Sequence, residues 1–150
     1  MILHLAPAAD WDGLQPGQGY VAPSLATEGF IHCTGDEETL LHVANSFYRS
    51  VPGELVVLDI DERRLAALVV WEEPVPAPPA GSAVTRFPHV YGPIEQDAVV
   101  AVRRVRRDLD GTYTVFAGIS PFAHLAVRTC QQFQRLYIVF CRDGQVIKHR

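Results

Sequence analysis

The chain has 150 residues, 48% of them hydrophobic and 20% charged, a balance that fits one globular domain able to bury a core without staples and excludes a disordered or fibrous chain. A net charge of -4 leaves no basic surface for general nucleic-acid binding. No apolar run is long enough to span a membrane, Met1-Ile2-Leu3-His4 lacks the features of a signal peptide, and three cysteines without a CxxC spacing read as free thiols in a reducing compartment, so a cytoplasmic location is expected.

Met1 to Leu5 predicts a short strand in which Ile2 and His4 share one face and Leu3 and Leu5 the other. Residues 6–19 hold two prolines, three glycines and Trp11, which predicts a turn-rich segment with a helical turn opened by Asp10 and Trp11 as a core anchor. Tyr20 to Ala26 reads as an extended piece through Pro23-Ser24-Leu25, where Ser24 either lines a site or caps a turn. Gly29 to Cys33 reads as a short apolar strand with His32 at its end. Thr34, with Glu37 three residues later, fits a capping box that opens the one principal helix, Thr34 to Arg49. Leu40, Leu41, Ala44, Phe47 and Tyr48 keep the helical period, while His42, Asn45, Ser46 and Arg49 gather on the solvated face.

After a turn at Ser50-Val51-Pro52-Gly53, the strand Glu54 to Asp61 is nearly all apolar at its centre and is expected to be covered on both faces. Asp61 to Leu65 allows one helical turn, and Ala66 to Trp71 returns as another buried strand ending at Glu72-Glu73. Four prolines and a glycine make Pro74 to Ser82 a surface loop. Phe87-Pro88-His89-Val90-Tyr91-Gly92-Pro93 concentrates aromatic and polar groups in a stiffened segment suited to a pocket wall. Asp97 to Arg107 reads as a long β-branched strand turned by Leu109-Asp110-Gly111 into Thr112 to Phe116. Its Arg103, Arg104, Arg106 and Arg107 are explained more economically as gatekeepers of an exposed edge strand than as a phosphate site. The remainder, residues 117–150, has helical spacing at Ala126, Cys130, Phe133 and Tyr137 and a hairpin turn at Arg142 to Gln145, and reads as an extension beyond the domain at 1–116.

His32, beside a hydroxyl and a helix N-terminus, either holds a polar ligand or is a half-buried imidazole bonded to a nearby carbonyl. A metal centre on His4, His32 and His89 with Cys33 or Glu72 is disfavoured, because zinc sites usually contain a close pair of ligands and here the histidines are far apart in sequence; no metal is expected. Cys33 falls on the strand face opposite His32, as a buried structural thiol would rather than a nucleophile.

The ordered phrases Ile2-Leu3-His4-Leu5, Gly19-Tyr20, Ser24-Leu25, Glu28-Gly29-Phe30-Ile31-His32-Cys33-Thr34, Trp71-Glu72 and Phe87-Pro88-His89-Val90-Tyr91-Gly92-Pro93 resemble the small bacterial family called domain of unknown function 952, over about residues 1–116. More distantly the chain resembles the ADP-ribosyltransferase superfamily. That resemblance implies an α+β fold with a mainly antiparallel β core, and NAD as a substrate rather than a cofactor. It places His4 at the first catalytic position, His32 with Thr34 at the second and Glu72 at the third, where Glu73 and Glu95 compete. Cleaving the nicotinamide–ribose bond needs donors that fix the ribose and a carboxylate near its hydroxyls. The expected site gathers His4, His32 and Glu72 as catalytic groups with Ser24, Thr34, His89 and Tyr91 binding the ligand, and Phe30 packing on a ring. The alternative is a non-catalytic module that holds a nucleotide or metabolite in the same place.

Overall fold

The computed structural model describes residues 1–73 and 86–116. The loop expected at Pro74 to Ser82 and the whole extension from Ala117, with Cys130 and Cys141, lie outside the described residues. Among the described residues, seven strands are arranged as two antiparallel sheets: β1 (Ile2–Pro7), β3 (Leu55–Ile60), β6 (Val99–Arg107) and β7 (Tyr113–Phe116) in the order β1-β3-β6-β7, and β2 (Ile31–His32), β5 (Phe87–Val90) and β4 (Val69–Glu72) in the order β2-β5-β4. Leu3 and Thr34 exchange both backbone hydrogen bonds at 2.8 Å, so β2 of the small sheet is tied to β1 of the large one. The result is an α+β fold dominated by antiparallel pairing.

Alternation along β1 explains where the core sits. Ile2 and Ala6, with Val56, Leu58 and Ile60 of β3, bury one face of the large sheet in a cluster shared with Ile31, Cys33 and Val90 of the small sheet and with Trp11, Tyr20 and Ile94. Leu3, Leu5, Leu55 and Val57 bury the other face beneath Leu40 and Ala44 of α3 (Glu37–Phe47). Both faces of β3 are thus covered, as its apolar run predicts, and Trp11 anchors the core from the short helix α1 (Ala8–Asp12). Each such buried side chain contributes roughly 1.5–3 kcal/mol, several times what an exposed ion pair supplies. Packing therefore fixes the register of the large sheet.

Several expectations are corrected. The helix begins at Glu37 rather than Thr34, because both backbone groups of Thr34 are taken by Leu3; the N-cap is Asp36, whose carboxylate accepts from the amide of Thr39 at 2.7 Å and from its hydroxyl at 2.9 Å. Asn45 is not on a solvated face: its side chain pairs with both the N–H and the C=O of Tyr113, joining α3 to β7. Residues 23–27 are not extended but form a short helix, α2 (Pro23–Thr27), with Pro23 at its first position, where a missing N–H costs nothing. The strand after residue 66 starts only at Val69 and is a half-exposed strand at the end of its sheet rather than a buried one. The arginine-bearing β6 lies between β3 and β7 and is no edge. Its arginines are engaged: Arg103 with Asp59 and Glu37, Arg104 with Glu54 and Asp12, Arg106 with Asp108, and Arg107 with the carbonyls of Arg49, Val51 and Gly111.

Among the described residues no helix is long and apolar enough to cross a membrane.

Candidate functional site

In β5 the side chain of Val90 packs in the shared core and alternation puts the buried Pro88 on the same side, so Phe87, His89 and Tyr91 turn toward the opposite, far face of the small sheet. The register carries this across the sheet. Ile31 pairs with Val90 and His32 with His89, while on the other side Val70 pairs with His89 and Glu72 with Phe87. The two segments singled out in the sequence thereby meet: His32 from one and His89 and Tyr91 from the other share the far face with Glu72.

The side chains there are tightly connected. Glu72 Oε2 accepts from the phenol of Tyr91 at 2.7 Å and from Nδ1–H of His89 at 2.8 Å. These two bonds, the one from Tyr91 first, hold the Glu72 carboxyl below the usual carboxylate range, and the same contact raises the Tyr91 phenol. His32 donates Nε2–H to Glu28 Oε2 at 2.9 Å. The ring of Phe30 stacks on that of His89 at 4.0 Å and 19°, and meets the edge of His32 at 4.8 Å; the two imidazoles stand nearly perpendicular, 5.2 Å apart. Tyr91 lies 5.6 Å from Phe30. Gly29 makes this possible. At φ +88° it reverses the chain between α2 and β2, so that Glu28, Phe30 and His32 all reach one place, and since nothing lies within 4 Å of a Cβ there, conformation rather than space calls for glycine.

The remaining predicted residues are placed elsewhere. His4 is buried in the core between the sheets, with Nδ1–H donating to the backbone carbonyl of His32 at 2.8 Å and Nε2 facing the hydroxyl of Tyr20 at 3.5 Å. Desolvation outweighs the hydrogen bond to the His32 carbonyl and lowers its pKa to about 4, so the ring is neutral near pH 7. Its side chain and that of His32 therefore occupy opposite sides of the small sheet. Thr34 is buried and its hydroxyl bonds the carbonyl of Asp36. Ser24 sits half-exposed on α2, and its carbonyl accepts from the amide of Glu28. Cys33 is buried in the core, and burial pushes its thiol far above the usual range, as a structural thiol requires. Trp71 points away from Glu72 and lays its ring on Gly35, where an added Cβ would come within 2.8 Å of it. Glu28 received no role from the sequence. Its spacing of four residues from His32 across a glycine was the available signal.

A profile described as "Protein of unknown function (DUF952)" matches residues 5–102. The chain belongs to this family. The match covers a shorter span than the sequence phrases suggest, and it includes every residue of the far-face group. Two X-ray crystal structures of protein CC0527 from Caulobacter crescentus, one of them a double methionine mutant, resemble this DUF952 chain with TM-scores of 0.60 and 0.59 at 24% identity, covering 75% of this chain and 92% of the other. That likeness concerns the fold. No curated protein matches the chain.

Proposed function

We propose that the far face of the small sheet is the ligand site of this DUF952 protein and that it binds the ribosyl portion of a nucleotide such as NAD, with Glu72 as the carboxylate turned toward the ribose. The observation that carries this reading is the state of Glu72. Both of its protein bonds end on Oε2, so the group is kept ionised and oriented while Oε1 has no partner among the described residues. An oriented carboxylate beside aromatic rings is what a developing oxocarbenium ion needs: it accepts a ribose hydroxyl in the ground state and stabilises positive charge as the bond to nicotinamide lengthens. Phe30 and Tyr91 offer ring faces for stacking, and His89 holds the carboxylate in place. The distant resemblance to ADP-ribosyltransferases supports the same chemistry, with His32 and Glu72 in its second and third positions; His4 acts through the backbone of His32 and does not touch the ligand.

A second reading, binding without turnover, is favoured by the burial of His4 and of His89, the latter beneath Phe30, which leaves fewer groups to handle protons. Calorimetric titration with NAD, followed by assay of free nicotinamide, separates the two. Turnover lost in Glu72→Gln with binding kept establishes an NAD-consuming enzyme; binding without nicotinamide release establishes the binding module. No heat with folded protein overturns both.

A further inference from the structure

We propose, resting on the far face being the ligand site, that this face selects its ligand through the ligand's own hydrogen-bond donors and that Glu28 is a second specificity-determining carboxylate beside Glu72. The hydrogen-bond inventory is one-sided. Nε2–H of His32 is spent on Glu28, and Nδ1–H of His89 and the phenolic O–H of Tyr91 are spent on Glu72. With one N–H of each imidazole donated to a carboxylate and His89 buried beneath Phe30, the acceptors that neutral imidazoles and carboxylates still present are Nδ1 of His32 and Oε1 of each glutamate. None of these atoms has a hydrogen-bond partner among the described residues. A carboxylate fixes the tautomer of each histidine, so the acceptor nitrogens are set in advance rather than chosen by the ligand.

A phosphate or carboxylate brought to these side chains would meet lone pairs and two negative charges, and among them no free donor to receive it. A sugar ring with vicinal hydroxyls, or a cationic heteroaromatic ring carrying an amide, would satisfy the acceptors while its apolar faces lie against Phe30 and Tyr91. The ligand class is accordingly a donor-rich nucleoside or glycoside, and any phosphate it carries lies beyond this face.

The test is calorimetric titration, in alkaline buffer, of the full chain and of Glu28→Gln with three probes: nicotinamide riboside, its 2′,3′-dideoxy analogue and inorganic phosphate. The riboside is expected to bind, the dideoxy analogue to bind at least about tenfold more weakly because charged acceptors are left unpaired, and phosphate to give no heat. In Glu28→Gln, shown to be folded by circular dichroism, riboside affinity should fall severalfold. Equal binding of riboside and analogue, preferential binding of phosphate, or an unchanged affinity in Glu28→Gln overturns the inference and leaves the far face standing as the site if NAD binding is still lost in Phe30→Ala. Failure of the riboside while NAD binds likewise overturns the inference alone, and failure of both removes the site reading with it.

Discussion

The imidazole of His4 donates from Nδ1 to the carbonyl oxygen of His32 at 2.8 Å, linking a side chain in the core to the backbone of a residue whose own ring faces the other way. Two histidines that a family resemblance would pair as catalytic partners are joined through a main-chain carbonyl. One supports the strand from the core and the other lies on the far face of the small sheet, bonded to Glu28.

This arrangement has a signature in acid. Burial lowers the pKa of His4 from 6.5 to about 4, so between those values the unfolded chain takes up a proton that the folded chain refuses. Stability is full above pH 6.5 and falls as the pH drops toward 4, by about 3 kcal/mol for this group alone. In His4→Asn, whose amide can still donate to the carbonyl, that part of the slope should vanish although stability near neutrality is reduced by the lost packing. Urea denaturation of both proteins across the acid range checks it; parallel slopes would mean that His4 is charged in the native state.

The start of α3 gives a second test. Asp36→Ala removes a side chain that bonds both the amide and the hydroxyl of Thr39 and should cost about 0.5–2 kcal/mol. Thr34→Ser keeps both the hydroxyl and the backbone pairing with Leu3, and should change stability by less than that. Chemical denaturation measures both, and a cost for Asp36→Ala below about 0.5 kcal/mol would mean that Asp36 does not cap the helix.

The contact between Glu72 and Tyr91 is open to titration. The phenol is raised above the ordinary tyrosine range by its bond to the carboxylate, so in Glu72→Gln, where the charge is gone, one tyrosine should ionise at a lower pH than in the parent. Ultraviolet difference absorbance of the phenolate follows this directly, and Tyr91→Phe should abolish the difference between the two titrations.

What the sequence discloses divides along physical lines. The apolar centre of Leu55–Ile60, the alternation at residues 2–5 and the turn before Tyr113 are local patterns, and the strands are found where those patterns put them. The errors concern partners distant in sequence. Thr34 has the chemistry of a helix cap, but its backbone is committed to Leu3. Val69–Glu72 has the composition of a buried strand, yet among the described residues it is the last strand of its sheet. The arginines of β6 look like an exposed row because the acids that meet them, Asp12, Glu37, Glu54 and Asp59, come from three other stretches of chain. The far-face group was half legible: Gly-Phe-Ile-His and Phe-Pro-His-Val-Tyr stand out as phrases, but only the pairing of His32 with His89 brings them together, and Glu28 has no significance until that pairing is made.

The reciprocal bond between Leu3 and Thr34 also bears on the order of folding. Strand β2 is two residues long and pairs with a strand about sixty residues away, so its closure pays a large loop entropy for few contacts. The large sheet and α3 have most of the apolar burial and can form first, with Thr34 caught on the edge of β1 as the seed on which the small sheet later assembles. Substitutions on the far face should then speed unfolding more than they slow folding, so that this surface can vary while the nucleus of the fold stays the same.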